Sequence, residues 1–402
     1  MPSGPMGTAK YQPSGRKGYH PTMIYRKLGR TGLDISAISL GCEYVWHSPQ
    51  ADVQALVDRA LDAGMNYIDL FIGTPQTRAN FGQALKGRRE KVLLAGHIGS
   101  ADRDGQYFRT RDPQLCEQFI QEFYQNLQTD YIDVLFLHNC NSLEDYQCIF
   151  APGGIYERAL SLQKEGRARY IGMSSHSTAI SLKAVESGLI DVLMYPINPL
   201  FDLLPGDTGI AQLTGAQGAD AIQDAPSQQS LYEACQAHHV GLVGMKPFAG
   251  GSLLGSRSGP LDGLLSLTPV QCIHYALTRP GVSAIVPGFK NTDELDQALA
   301  YLSASEAERS LGSLEGKDFS AMKGQCMYCN HCQPCPVGID IAETTKLADQ
   351  AERHGLTDAL RASWAALTPS AAGCLSCGSC SKRCPFGIDA MANIHRAAAL
   401  FK

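Results

Sequence analysis

Eight of the 14 cysteines in this 402-residue chain fall between positions 326 and 384. So many thiols in one short stretch must be either cross-linked or coordinated. Met1 to Thr22 is rich in Gly, Pro and Ser and has no apolar h-region, so no secretory signal is expected. Without one, clustered cysteines argue for metal rather than disulfides. The first group is Cys326, Cys329, Cys332 and Cys335, followed by Pro336. The second is Cys374, Cys377, Cys380 and Cys384, followed by Pro385. The second matches C-x2-C-x2-C-x3-C-P, a run that holds [4Fe–4S] clusters, in which the fourth cysteine serves the other cluster. The expectation is therefore two [4Fe–4S] clusters with crossed ligands. Cys326, Cys329, Cys332 and Cys384 hold one, and Cys374, Cys377, Cys380 and Cys335 the other. The first run is one residue shorter than the template, since only two residues separate Cys332 from Cys335. A pair of zinc sites is the competing reading. Asp340 and Glu343 have the spacing of a capping box, and the stretch between the two runs is mostly helix-forming. The module thus reads as a ferredoxin type with helices inserted between its cysteine runs.

The rest of the chain is long enough for one large domain. The expected division is a segment at 1–22, a barrel at 23–315 and the cysteine module at 316–402. A net charge of −5 gives no sign of a nucleic-acid partner. The basic residues Lys10, Arg16, Lys17, Arg26, Lys27 and Arg30 read as a solvated tail. No run of about 18 apolar residues exists, so no membrane span is expected. The expected location is the cytoplasm.

Short apolar runs alternate with amphipathic stretches across the first 300 residues. Strands are expected at Ser36–Gly41, Asn66–Leu70, Lys91–Gly96, Tyr131–His138, Arg169–Ser174, Asp191–Tyr195, Val240–Met245 and Val282–Val286. Helices are expected at Ala51–Ala63 and Asp112–Leu127. Eight strands, most followed by a helix, make an α/β fold of the (β/α)8 TIM-barrel type, followed by the small helical module. No G-x-G-x-x-G turn follows the first strand, which disfavours a doubly wound sheet. Ile24–Arg26 and Leu33–Ile35 flank Gly29 and Gly32 and read as a hairpin closing the barrel bottom. Gly206–Ser227 reads as a loop after strand six. In such barrels chemistry sits at the carboxyl ends of the strands. Those ends carry Cys42, Glu43, Asp69, His97, His138, Ser174 to His176, Asn198, Lys246 and Gly288 to Asn291.

The chain resembles the aldo/keto reductases. The resemblance rests on Tyr25 to Leu33 (YRKLGRTGL), Asn66 to Asp69 (NYID), Asp130 to Val134 (DYIDV), Leu137-His138, Gly166 to Gly172 (GRARYIG), Met245-Lys246-Pro247 and Val286-Pro287-Gly288. With the C-terminal module it resembles the iron–sulfur subgroup of that family. The resemblance implies carbonyl reduction with NADPH by an Asp–Tyr–Lys–His set. Asp69 and His138 match the Asp and His. Thr74 stands at the Tyr position and His97 at the Lys position. Ser174-Ser175 replaces the family's Ser-Asn, and Met194 its Gln. Ser174, Lys246, Gly288, Lys290 and Asn291 are the residues implied to bind NADP(H), with Lys290 suited to an adenosine phosphate.

Asp69 next to His97, with His138, is an acid/base set, or a two-His-one-carboxylate metal site. The leading functional reading is an iron–sulfur oxidoreductase acting on a small-molecule substrate. In it the Asp69/His97/His138 set moves protons and the clusters pass electrons, with NADP(H) or a redox partner protein as the other electron carrier. The alternatives are a lyase or hydrolase with structural clusters, and an electron carrier without chemistry of its own. The loops His138–Gly154 and Pro199–Ser227 are expected to shape the substrate pocket.

Overall fold

The structure is a computed structural model. It describes residues 22–103, 106–202, 227–254, 265–314, 326, 328, 332–333, 335–384 and 388–402. The segment 1–21, most of the loop expected at 206–227, and Cys329 lie outside the described residues.

The chain enters through an antiparallel hairpin of β1 (Tyr25–Lys27) and β2 (Asp34–Ser36). The barrel strands follow: β3 (Leu40–Gly41), β4 (Tyr67–Leu70), β5 (Leu93–Ile98), β8 (Ile132–Leu137), β9 (Ala168–Ser174), β10 (Val192–Pro196), β11 (Gly241–Met245) and β12 (Val282–Val286). They pair in parallel in the order β12-β11-β10-β9-β8-β5-β4-β3. Parallel bridges Ile38–Ile285 and Gly41–Gly288 bring the two edges together. This is the expected barrel, with boundaries moved by at most two residues except in the first strand, which starts at Leu40 rather than Ser36 because Ser36 pairs in the entry hairpin.

Helices cover it: α1 (Gln50–Asp62), α2 (Pro75–Ala84), α3 (Pro113–Leu127), α4 (Leu143–Phe150), α5 (Ile155–Lys164), α6 (Thr178–Glu186), a short α7 (Pro199–Asp202), α8 (Gln228–Ala237), α9 (Pro269–Leu277) and α10 (Thr292–Leu299). α3 shows how the sequence sets one. Asp112 caps its start by accepting from the amides of Gln114 and Leu115. Phe119, Ile120, Phe123 and Leu127 recur on one face and are buried. Gln128, in the left-handed region, ends it.

The entry hairpin closes the amino end of the barrel. Leu28 and Ile35 are fully buried with Tyr67, Val134, Val192 and Ala284 of the barrel interior. Gly29 has φ +49, and a Cβ there would lie 2.2 Å from the Gly241 nitrogen, so only glycine fits. Arg26, Lys27 and Arg30 do not belong to a solvated tail. Arg26 donates to the carbonyls of Leu277 and Val282, Lys27 pairs with Asp34, and Arg30 pairs with Asp191. Their carbonyl and carboxylate partners are fixed by the hairpin's seat on the barrel, which sequence alone does not display.

An insertion follows β5, a second hairpin of β6 (Ser100–Arg103) and β7 (Gln106–Arg109). It lies directly on the loop after β4, where a Cβ on Gly73 would come within 2.6 Å of Ala101. In the C-terminal region, helices Ile341–His354 and Asp358–Ala365 stand between the cysteine runs as expected. The capping box is only half formed. Asp340 accepts from the Glu343 amide, but the Glu343 carboxylate pairs with Lys346. The ion pair within the first turn takes the carboxylate away from the cap. No helix among the described residues is long and apolar enough to cross a membrane.

Candidate active site

A cleft of about 750 Å3, measured up to its open mouth, lies at the carboxyl end of the barrel. Asp69 enters it from β4, His97 from β5 and His138 from the residue after β8. All three are nearly buried, 4%, 3% and 5% exposed. They form a line rather than a ring. His97 Nε2 is 2.9 Å from Asp69 Oδ1, and His97 Nδ1 is 2.9 Å from His138 Nδ1. The remaining nitrogen, His138 Nε2, meets the hydroxyl of Tyr107. All four imidazole nitrogens are thus engaged in one chain, Asp69–His97–His138–Tyr107.

The chain has a definite sense. With both rings neutral and the carboxylate accepting, His97 Nε2 carries the hydrogen and Nδ1 is the acceptor. His138 must then donate from Nδ1 and accept at Nε2, and Tyr107 donates into it. One added proton at His138 Nε2 reverses the last bond, so that the Tyr107 oxygen accepts. Aromatic packing holds the geometry. His97 stacks on Phe136 at 4.9 Å, and Phe71 lies nearly parallel to His138 at 6.1 Å. Tyr107 sits edge-on to Trp46, Phe71 and His138 at 5.7–6.2 Å between ring centres.

Among the described residues, no three His, Cys, Asp or Glu side chains are placed to hold one metal ion. Convergence would require two ring nitrogens and a carboxylate aimed at one point, whereas here they are aimed at one another.

Tyr107, on β7, was not singled out by the sequence. The hairpin carries it behind His138, 5% exposed. Thr74 has another task. It accepts from Trp46 Nε1 at 2.6 Å and donates to Asp102 Oδ2 at 3.0 Å, fastening the β4 loop to the hairpin. Arg109 and Arg111 bond the Asn139 carbonyl and pair with Asp145, tying the other end of the hairpin to the loop after β8. Arg78, fully buried in α2, donates to the carbonyls of Ile72 and Phe119. Burial lowers its pKa to about 10, so it stays charged at neutral pH.

Of the five residues implied for NADP(H), Ser174, Lys246 and Gly288 line the cleft. Ser174 accepts from the Asn139 amide through Oγ. Lys290 and Asn291 do not line it. Lys290 is exposed, 5.8 Å above the ring of Tyr44, and Asn291 caps α10 by accepting from the Glu294 amide. The first turn of α10 carries Asp293 and Glu294, and the Glu294 carboxylate accepts from the Lys290 amide. Two carboxylates at a helix start disfavour an anionic phosphate there. Cys42 also lines the cleft, and burial followed by Asp69 pushes its thiol well up, which keeps it neutral. The remaining wall is largely apolar, with Phe71, Met194, Met245, Phe248 and Val286.

In the C-terminal region, Cys335, Cys374, Cys377 and Cys380 together line a small apolar cavity. They are the four thiols that crossed ligation assigns to one cluster. Cys326 and Cys384 meet elsewhere, against Phe201 and Ile388. Cys332 is buried beside Ile339 and Ile394, in the apolar group that Cys335, Cys374 and Cys380 also touch. No described cysteine is in a disulfide. Four thiols lining one cavity suit a [4Fe–4S] cluster.

The barrel and its site define a reductase-type (β/α)8 protein with an appended cysteine module. The aldo/keto reductase family model matches residues 37–263, more than half the chain, and a 4Fe-4S dicluster domain matches 324–389. The chain belongs to the aldo/keto reductase family, in a form that carries a 4Fe-4S domain. It is similar to the uncharacterized oxidoreductase YqkF of Bacillus subtilis, 24% identical over 318 residues that cover 77% of this chain and 99% of that protein. The fold is also that of the aldo-keto reductase AKR11C1 from Bacillus halodurans. That match has a TM-score of 0.55 and 21% identity over 73% of this chain and 95% of that one. A putative aldo-keto reductase from Pseudomonas aeruginosa superposes with a TM-score of 0.52 at 20% identity, over 70% and 96% of the two chains.

Proposed function

We propose that the protein is an iron–sulfur oxidoreductase that reduces a small, largely apolar carbonyl compound in the cleft, with Asp69, His97, His138 and Tyr107 as its proton relay. The observation that carries this is the unbroken hydrogen-bonded line from Asp69 to Tyr107. Two [4Fe–4S] clusters, when bound by the eight cysteines, would supply two electrons one at a time. Conversion of a carbonyl to an alcohol consumes two electrons and two protons, so the relay must deliver and be refilled twice.

The residues do this as follows. Asp69 holds His97 with its hydrogen on Nε2, which fixes the orientation of both rings. A proton added at His138 Nε2 is shared with the Tyr107 oxygen and is held within the site. Delivery carries this proton on to the substrate oxygen, and Tyr107 is the member of the line that passes it. The apolar wall excludes water, and Lys246 offers a positive charge where negative charge develops on the substrate oxygen.

NADP(H) is the second reading, favoured by Ser174, Lys246 and Gly288 in the cleft and opposed by the carboxylates at the start of α10. Direct titration of the protein with NADPH separates the two. The relay is tested with His97→Ala. Iron and sulfide content should stay near about eight of each per chain, while carbonyl reduction is lost. Full activity in that variant would refute the relay.

A further inference from the structure

Asn139 directly follows the relay residue His138 and lines the cleft. Its backbone is in the left-handed region, at φ +52. Asparagine enters that region more readily than most residues, and such outliers cluster at ligand sites. The backbone is held on both sides of its Cα. The amide donates to Ser174 Oγ at 2.8 Å, and the carbonyl accepts from Arg109 and Arg111 at 3.0 and 3.1 Å. Both arginines pair in turn with Asp145. The backbone polar groups of Asn139 are thus occupied, and its side chain is left to meet a ligand.

The direction of that side-chain amide follows from its neighbours. The backbone amide of His176 can only donate, and it lies 2.7 Å from Asn141 Oδ1. This fixes the acceptor end of Asn141, so its other end, Nδ2, is the donor. Asn141 Nδ2 lies 2.6 Å from Asn139 Oδ1, which must therefore accept. Asn139 Nδ2 remains, with two hydrogens to give. Among the described residues nothing accepts from it.

We infer that Asn139 Nδ2 is a substrate-binding donor, and that the substrate carries a second oxygen acceptor close to its reacting carbonyl. An ether, hydroxyl or further carbonyl oxygen would serve. Consecutive Cα atoms are only about 3.8 Å apart, so this donor stands beside the relay. The inference rests on the carbonyl reduction proposed above and names the substrate class for it. Asn141 does not touch the substrate. It is a positioning residue that keeps the Asn139 amide turned with its donor end free. In a largely apolar cleft such a donor is selective, because a compound without the oxygen leaves it unpaired.

The test is equilibrium binding to the oxidised holoprotein with no electron donor present, followed by ligand-observed NMR titration. Cyclohexanone, oxan-3-one and oxan-4-one have nearly the same shape. The two oxanones carry an ether oxygen one or two carbons from the carbonyl. Wild-type protein should bind at least one oxanone about three- to tenfold more tightly than cyclohexanone, the worth of one neutral hydrogen bond. Asn139→Gly, which suits the left-handed backbone, should abolish the preference. Asn139→Asp still accepts from Asn141 Nδ2 but puts an acceptor where the donor was, so the preference should reverse. Asn141→Asp leaves the cleft side chain in place, yet its carboxylate cannot donate. Asn139 must then rotate its amide to donate to that carboxylate, Oδ1 faces the cleft, and the preference should reverse here too. A merely structural role for Asn141 would weaken all three ligands alike, and that result overturns the inference. So does wild-type protein that binds cyclohexanone as tightly as both oxanones, or binds neither oxanone. Failure of the carbonyl reduction itself would show in turnover assays and would leave these binding ratios standing.

Discussion

Tyr107→Phe removes one oxygen and little else. The ring keeps its edge-on contacts with Trp46, Phe71 and His138, so packing should be preserved. His138 Nε2, which is buried, loses the hydroxyl that donates to it. A buried acceptor deprived of its donor costs about 1–3 kcal/mol, against a domain stability of about 5–15 kcal/mol. The variant should therefore fold, with a denaturation midpoint lowered in proportion. Its effect on rate should be larger. Positioned proton transfer contributes about 10²–10⁴-fold, which is about 3–5 kcal/mol of barrier at 1.36 kcal/mol per decade. The assay pairs urea unfolding, followed by fluorescence, with the rate of carbonyl reduction under anaerobic conditions. A loss of two or more decades in rate with a small shift in midpoint is expected. A variant that turns over within about threefold of wild type would refute the relay, since a group worth decades cannot be removed so cheaply.

Arg78→Met should destabilise the barrel by about 2–5 kcal/mol, because the carbonyls of Ile72 and Phe119 lose buried charged donors; thermal melting of the holoprotein checks it. Burial pushes the Asp202 carboxyl up to about 6, opposed by Tyr232, Tyr275 and Arg279, which face it. A raised carboxyl favours the fold fully below about pH 4 and loses that contribution as the pH rises through about 6, for a change of about 2–3 kcal/mol. Limited proteolysis at pH 5 and pH 8 should show this dependence in the wild type and a weaker one in Asp202→Asn. The double change Thr74→Tyr, His97→Lys should not restore an NADPH-dependent reductase. Thr74 is buried between Trp46 and Asp102, where a phenol cannot enter without displacing the indole; NADPH oxidation with a test aldehyde checks it. Gly29→Ala should lower the yield of folded protein, since its Cβ meets the Gly241 backbone at 2.2 Å, as measured by recovery after expression.

The barrel was legible because each buried strand is a continuous apolar run and the helices between repeat at 3.6 residues. Asp69, His97 and His138 could be named because a parallel barrel puts its chemistry at the ends of strands. Their arrangement could not. Whether two imidazoles and a carboxylate converge on a metal or point at each other depends on side-chain directions that a one-dimensional pattern does not contain. Tyr107 was missed although a signal existed. Asp104-Gly105, between Arg103 and Gln106, is a strong two-residue hairpin sequence. A hairpin read there would have brought the residues before and after it back over the site. Lys290 and Asn291 stand outside the cleft lining, beside a helix start that carries Asp293 and Glu294, a setting that the reading of a lysine beside a helix start left unweighed. Phe201 lies on a turn too short for any periodicity, and the buried pair it makes with Ile388 joins residues far apart in the sequence.

The most direct test of the account is made on the visible absorbance of anaerobically reduced protein. The sample is freed of reductant and mixed with a panel of small aldehydes, ketones and conjugated carbonyl compounds. The account predicts that at least one of them restores the oxidised cluster spectrum while its alcohol forms, two electrons per molecule, and that His97→Ala and Tyr107→Phe slow this by decades. If the spectrum stays bleached with every carbonyl compound, or recovers equally fast in both variants, the barrel does not couple its relay to the clusters.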